Sequence, residues 1–363
     1  MTTATDDRPT AANSLYEHVG GQLERLVELH ELDSISPLIT RSYELLCSDS
    51  LGMPCGRRPP RASHLNADGT PFQFSLTVGR ERPPLQFLTE IGTPGARTEH
   101  QLAACRRRLA DLAGLFASQA SLPHLSAVLA DMAPDDDPDL LGEEGGAVWL
   151  GAGFSHKRGP QLKLYVNAKW GTETGRWARI ERFAGHAGIG PAWAAIQATL
   201  GDALQPLGVA AAVGSDGRLG SRIYLAAFGE PAGYYERLAR RHGGRTFGQY
   251  LGSYLRTVLQ DDYEHPTRSA VCSFGAQDGA IGDVKVELCG HCALSSDIEA
   301  RARFETWLLE AGIDPASYRK TVELLTNGTP DPELAQLHAY AGVGVRGNEL
   351  YSTFYFNPAP RSA

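Results

Sequence analysis

QLKLYVNAKW, residues 161–170, decides how this chain folds. Leu162, Leu164 and Val166 alternate with Lys163, Tyr165 and Asn167. A period of two marks a β-strand with two unlike faces. One face is aliphatic. The other carries an ammonium, a phenol and an amide. On an ordinary sheet that polar face would simply be wet, and only recurrence of the pattern argues otherwise.

The pattern recurs. SRIYLAAFG (221–229), DVKVELCG (283–290) and ELYSTFYFN (349–357) repeat the alternation at spacings of roughly 60 residues. Each follows a second strand-like stretch that ends in a turn signal: GAVWLGAGFSHKRGP, GVAAAVGSDGRLG, SAVCSFGAQDGAIG and LHAYAGVGVRGN. Gly-Pro, Asp-Gly and Gly-Asn punctuate hairpins. PFQFSLTVG (71–79) and PPLQFLTEIG (83–92) supply a fifth pair. Amphipathic spacing predicts helices over 15–30, 35–47, 99–118, 191–204 and 234–260. The glycines of ARRHGGR (239–245) read as a helix end. Another helix opens at the capping box of Ser296 and Glu299 and stops at Gly312.

The expected architecture is a single α+β domain over 1–363, with 1–12 and 359–363 disordered. Five helix-helix-strand-strand units would place ten antiparallel strands in a closed barrel surrounded by helices. Closure removes exposed strand edges, and a barrel wider than eight strands leaves room for a ligand. An open solenoid is the alternative for a repeat of this length.

Composition bounds the function. The chain has 363 residues, 42% hydrophobic and 21% charged, with a formal net charge of −8. An acidic balance argues against a general nucleic-acid binder. No apolar run is long enough to span a bilayer, and MTTATDDRPTAA lacks a basic-then-apolar signal pattern. A soluble, cytoplasmic protein without a membrane partner is expected. Six cysteines in a chain of this size do not make a disulfide framework.

With helices outside the barrel, the aliphatic strand faces pack on them and the polar faces turn inward. The lumen would then hold Lys163, Tyr165, Asn167, Arg222, Tyr224, Lys285, Glu287, Tyr351 and either Phe354 or Tyr355. Lys157 and Arg346 join from the partner strands. Cations gathered in a dry cavity are costly unless a polyanion neutralises them. Tyrosine rings among them offer π-faces to a cation. An anion beside a carbocation is what ionisation of an allylic diphosphate produces. Partly hydrated barrel residues without a ligand are the plainer alternative.

These residues resemble a known family, the bacterial type of aromatic prenyltransferases related to dimethylallyltryptophan synthase, which have an ααββ (ABBA) barrel. The resemblance covers about 60 to 358 and rests on DGTPFQFSL, FSHK followed by KLYVN, SRIYL, VKVEL and RGNELYSTFYFNP. The last is the most specific, with Arg346 followed by Tyr351 and Tyr355. The family's Lys-x-Tyr-x-Tyr motif matches Lys163 and Tyr165, with Asn167 at the second Tyr. Its Arg-x-Lys-x-Tyr motif places Arg222 at the Lys and Tyr224 at the Tyr. Gly220 stands at the Arg position, for which Arg218 is a substitute. A Gln-x-Tyr motif becomes Lys285 and Glu287. The family's catalytic Lys matches Lys157. Its first-hairpin Arg, which would align near Leu85–Gln86, is missing, and its indole-binding Glu is replaced by Gln73. An amide can orient a donor but cannot take its proton.

The resemblance therefore implies transfer of a dimethylallyl group from its diphosphate to an electron-rich aromatic small molecule. Indole derivatives, carbazoles and hydroxyaromatics all fit, and free tryptophan fits less well given Gln73. Lys163, Arg222, Lys285 and Arg346, with Tyr224, Tyr351 and Tyr355, would bind the diphosphate. Tyr165, Tyr224, Tyr351 and Tyr355 would shield the allylic cation. Gln73, Asn167 and Trp149 would contact the acceptor, and Lys157, Gln73 and Glu287 are the catalytic candidates. Either Lys157 or Glu287 would remove the ring proton. No cofactor and no magnesium are expected, because side-chain cations would stand in for the metal. The oligomeric state is monomer or homodimer. A barrel carrier that binds an aromatic ligand without chemistry is the rival from another class.

Two other motifs compete for a role. CGHC (289–292) copies a dithiol redox motif, with zinc binding or incidental thiols as further readings. APDDDPD (133–139) resembles an Asp-rich magnesium motif, but its flanking prolines favour a solvated loop.

Overall fold

The aliphatic residues that alternate along the strands face a layer of helices, and the polar residues between them face a closed lumen. In this computed structural model the strands are β1 (Phe72–Val78), β2 (Leu85–Glu90), β3 (Val148–Phe154), β4 (Gln161–Asn167) and β5 (Leu204–Gly214). They continue as β6 (Leu219–Ala227), β7 (Ala270–Gln277), β8 (Ala280–Cys289), β9 (His338–Arg346) and β10 (Glu349–Phe356). Each pairs antiparallel with its sequence neighbours, and the circle closes where β1 meets β10, with Ser75 opposite Tyr355. The solenoid alternative is excluded by that seam.

The structure describes residues 14–53, 63, 65–79, 85–93, 96–116, 122–133, 146–155, 159–227, 229–264, 266–267, 270–277, 279–327 and 336–358. The expectations for 1–12 and 359–363, for Lys157, and for Pro134–Asp139 lie outside those residues.

Helices lie between the hairpins, and those over 122–132, 173–186 and 316–325 go beyond the segments that the sequence marks as helical. They are α1 (Leu15–Leu29), α2 (Ser36–Cys47), α3 (Thr98–Phe116), α4 (Leu122–Met132), α5 (Glu173–His186), α6 (Gly190–Gln197), α7 (Ala232–Leu259), α8 (Asp297–Glu310) and α9 (Ala316–Leu325). The Ser296 side chain accepts from the Glu299 amide, as the capping box requires. Gly244, at φ 87°, breaks α7 in two, which supplies the second helix of the fourth unit. The helix expected over 191–204 is shorter. It ends at Gln197, and Gly201 at φ 71° turns the chain into β5.

The core lies between barrel and helices. Phe72 stacks on Phe87 at 5.7 Å, and both meet the Tyr43 ring of α2 edge-on at 6.1 and 6.2 Å. Phe354 packs 4.5 Å from Tyr318 and 5.3 Å from Phe304, on the helical side. Alternation therefore puts Tyr355, not Phe354, in the lumen. Burial of each such ring stabilises by roughly 1.5–3 kcal/mol. Among the described residues no helix is long and apolar enough to cross a membrane.

Candidate active site

One row of directly opposed residues crosses the inner wall: Trp149, Tyr165, Ala210, Arg222, Gly275, Asp283 and Arg346. Opposed residues share a face, and the small Ala210 and Gly275 separate Tyr165, Arg222 and Asp283 along it. Gly275 lets the large ones meet. A Cβ there would lie 2.8 Å from Arg222 Nη2 and 3.0 Å from Asp283 Cβ. Across that gap Arg222 Nη2 reaches Asp283 Oδ2 at 2.7 Å. Arg346 donates to the same oxygen through Nε and Nη2 at 2.8 and 2.6 Å, and Tyr351 Oη donates to Oδ1 at 2.6 Å. Burial alone would raise the Asp283 pKa. Arg222, Arg346 and the Tyr351 hydroxyl outweigh it and hold the carboxyl well below the usual carboxylate range.

A second row carries Tyr224, Ser273, Lys285, Gly344 and Tyr351. Lys285 Nζ lies 2.7 Å from Glu287 Oε1, donates to Tyr355 Oη at 2.8 Å, and sits 5.1 Å from the centre of that ring. Burial lowers the Lys285 pKa, and Glu287 partly restores it. Arg222 Nη1 donates to Ser273 Oγ at 2.8 Å. The Tyr165 and Tyr224 rings are 6.3 Å apart, and burial raises both phenol pKa values, so they remain neutral.

Lys163 is the least neutralised cation. It donates to Gln86 Oε1, and among the described residues no carboxylate forms an ion pair with it. Burial, then repulsion from Lys285, Arg222 and Arg346, pushes its pKa down to about 7. The described lumen thus sets four cationic side chains against the carboxylates Asp283 and Glu287, both already paired. That arrangement can take a polyanion.

At the Gln73 end, Phe72 and Phe74 point to the helices and Gln73 points inward, buried. Its Nε2 donates to Leu65 O at 2.8 Å and Asn66 Oδ1 at 3.0 Å. Asn66 is itself oriented by donating to the carbonyls of Thr70 and Phe72, both at 2.7 Å. The Gln73 amide nitrogen is therefore engaged by the segment covering this end. Asn167 is engaged too: Nδ2 donates to Gly146 O and Oδ1 accepts from Lys169 N, each at 2.8 Å. This amide ties the start of β3 to the end of β4 on the face that carries Lys163 and Tyr165. Trp149 lies opposite Tyr165, with its buried indole N–H unpartnered among the described residues.

Arg218 does not replace a cation at Gly220. It is 65% exposed and pairs with Asp216 at 3.3 Å in the β5–β6 turn, outside the lumen. Residues not anticipated are Asp283, Gln86 and Ser273. Alternation back from Lys285 would have placed Asp283 inward, but an Asp at a strand start reads as turn chemistry.

The closed barrel with buried cations and interleaved tyrosines is, in fold, the ABBA barrel of aromatic prenyltransferases. The chain is similar to 6-dimethylallyltryptophan synthase from Micromonospora olivasterospora in complex with DMASPP and Trp, at 22% identity over 95% of this chain and 98% of that one, with a TM-score of 0.79. It is similar to 5-dimethylallyltryptophan synthase from Streptomyces coelicolor, at 21% identity over 96% and 98%, TM-score 0.79. PriB in a ternary complex with L-tryptophan and dimethylallyl thiolodiphosphate matches at 23% identity over 97% and 99%, TM-score 0.79. No family model matches the chain, and a comparison with curated protein sequences finds no match.

Proposed function

We propose that this barrel transfers a dimethylallyl group from its diphosphate to an electron-rich aromatic small molecule. The observation that carries this reading is the convergence of Lys163, Arg222, Lys285 and Arg346 with Tyr165, Tyr224, Tyr351 and Tyr355 in one lumen. Similarly folded proteins in complexes with a diphosphate analogue and tryptophan support it.

The four cations grip the diphosphate and stabilise the charge that develops as the allylic C–O bond breaks. They stand in for magnesium. The neutral tyrosine rings surround the allylic cation and exclude water, which would otherwise capture it. The aromatic ring attacks, with the Trp149 N–H available to hold a polar group of the acceptor. As Lys285 turns to the diphosphate, Glu287 is released to take the ring proton and restore aromaticity. Gln73, with its amide committed to Leu65 and Asn66, cannot serve as that base.

The test is incubation with dimethylallyl diphosphate and a panel of indoles, carbazoles, phenols and L-tryptophan, with and without excess EDTA, read by mass. Alkylated product that survives chelation supports the reading, with L-tryptophan among the poorer acceptors. Binding of an aromatic without any diphosphate-dependent product would make the barrel a carrier. Turnover that chelation abolishes and magnesium restores would overturn the role given to the side-chain cations.

A further inference from the structure

The Cys289–Cys292 motif takes no part in the reading above. Cys289 ends β8 opposite Tyr340, whose ring lies 6.5 Å from Tyr355, so the thiol stands at the end of the lumen wall. The helical turn Gly290–Ala293 then folds Cys292 back, with its sulfur 2.9 Å from that of Cys289. Gly290 makes this fold possible, because a Cβ there would lie 2.0 Å from the His338 carbonyl oxygen. His291 Nδ1 lies 3.2 Å from Cys289 Sγ. Cys289 is buried and Cys292 exposed. The His291 ring also feels the charge of Asp68, from the segment whose Leu65 and Asn66 hold Gln73. The pair therefore sits at the same end of the barrel as Gln73.

We propose that Cys289 and Cys292 form a reversible dithiol–disulfide site that exchanges with low-molecular-weight disulfides at this rim of the barrel. The exposed Cys292 thiolate attacks one sulfur of the small disulfide, forming a mixed disulfide and releasing one thiol. Cys289 then attacks Cys292 Sγ, forming the protein disulfide and releasing the second thiol. Two protein thiols are oxidised, and one external disulfide is reduced. Hydrogen bonding from Cys289, then His291, pushes the Cys292 pKa down to about 5, which keeps the attacking sulfur ionised.

The same three residues bring their ligand atoms within 4.8 Å of one another, as a metal site would. Dithiol exchange and metal binding make different demands on the sulfurs, and the experiment below separates them. Two thiolates on a tetrahedral zinc at about 2.3 Å would stand roughly 3.7 Å apart, whereas these are at 2.9 Å. Cys47, Cys105 and Cys272 serve as internal controls, since burial raises each of their thiol pKa values.

The experiment uses the full chain, reduced and freed of metal, then titrated with oxidised and reduced glutathione. Unreacted thiols are alkylated and mapped by peptide mass. A 289–292 disulfide that reverses with reduced glutathione is expected, with Cys292 alkylated at least about tenfold faster than Cys47, Cys105 or Cys272 in the reduced chain. Cys289→Ser should trap a glutathione adduct on Cys292, whereas Cys292→Ser should leave Cys289 unmodified. No adduct on folded Cys289→Ser, checked by circular dichroism, would overturn the proposal. So would stoichiometric protection of both thiols by zinc alone with no disulfide formed under glutathione. None of these readouts depends on prenyl transfer.

Discussion

Replacement of Asp283 by Asn should weaken the free protein and strengthen its hold on pyrophosphate. The amide keeps the size of the carboxylate but removes the charge that faces Arg222 at 2.7 Å and Arg346 at 2.6 Å. Loss of one partner from a buried ion pair costs about 3–5 kcal/mol because the other charge is stranded. Arg346 is 38% exposed and recovers some hydration, whereas Arg222, at 15%, recovers little. A net loss of roughly 2–4 kcal/mol follows once that hydration is counted. For a chain of 363 residues that lowers Tm by roughly 3–5 °C.

In the proposed anion site a bound polyanion would supply the missing charge. In the wild type it must draw both guanidiniums away from Asp283, and in the variant it meets them unpaired. Pyrophosphate should therefore bind the variant more tightly, by roughly 1–2 kcal/mol, the scale of one charge-assisted hydrogen bond. Calorimetric titration with pyrophosphate and thermal melts with and without it give both quantities. A variant whose free Tm lies within about 1 °C of the wild type would refute the stability half of the reasoning. An unchanged or weaker pyrophosphate affinity would refute the competition half.

The remaining predictions concern Lys163, Arg222 and Gln73. Lys163→Ala and Arg222→Ala should each weaken a non-hydrolysable thiolodiphosphate by roughly 1.5–3 kcal/mol with the fold intact. Calorimetry checks this, and unchanged affinity in both would remove the pair from the anion site. Because the Lys163 pKa stands near 7 in the free protein, an arriving anion should raise it, and binding at about pH 8 should take up a proton. Binding enthalpy should then vary with the ionisation enthalpy of the buffer, and Lys163→Met should abolish that variation. Gln73→Glu sets a carboxylate against Leu65 O and Asn66 Oδ1, both acceptors, and should destabilise by roughly 1–3 kcal/mol near neutral pH. The carboxyl's raised pKa makes that loss shrink as pH falls, and melts showing a pH-independent difference would contradict the assigned hydrogen bonds.

What the sequence made legible, and what it left dark, divides along one physical line. A period of two within one strand settles which residues share a face, and five repeats of it argue for closure, so the barrel and most lumen candidates were readable from QLKLYVN and its relatives, while the helices over 122–132, 173–186 and 316–325 were not. Charge balance in the lumen is different, because it belongs to pairs on different strands. Arg222 and Asp283 meet only because β6, β7 and β8 stack in a register that places Gly275 between them. The irregularity between Ile281 and Asp283 helps set that register, and no local pattern announces it. The same limit explains Arg218. Spacing alone made it a substitute for the missing cation, yet the hairpin turn carries it out to Asp216 in solvent. Gln73 was placed on the correct face by alternation, but its partners come from a non-repetitive segment that has no period to read. A lumen that looked in sequence like a set of free cations is therefore a set of cations held by Asp283, Glu287 and Tyr355. Lys163 alone, among those described, lacks a carboxylate partner, so on the proposed reading it is where an incoming anion displaces least.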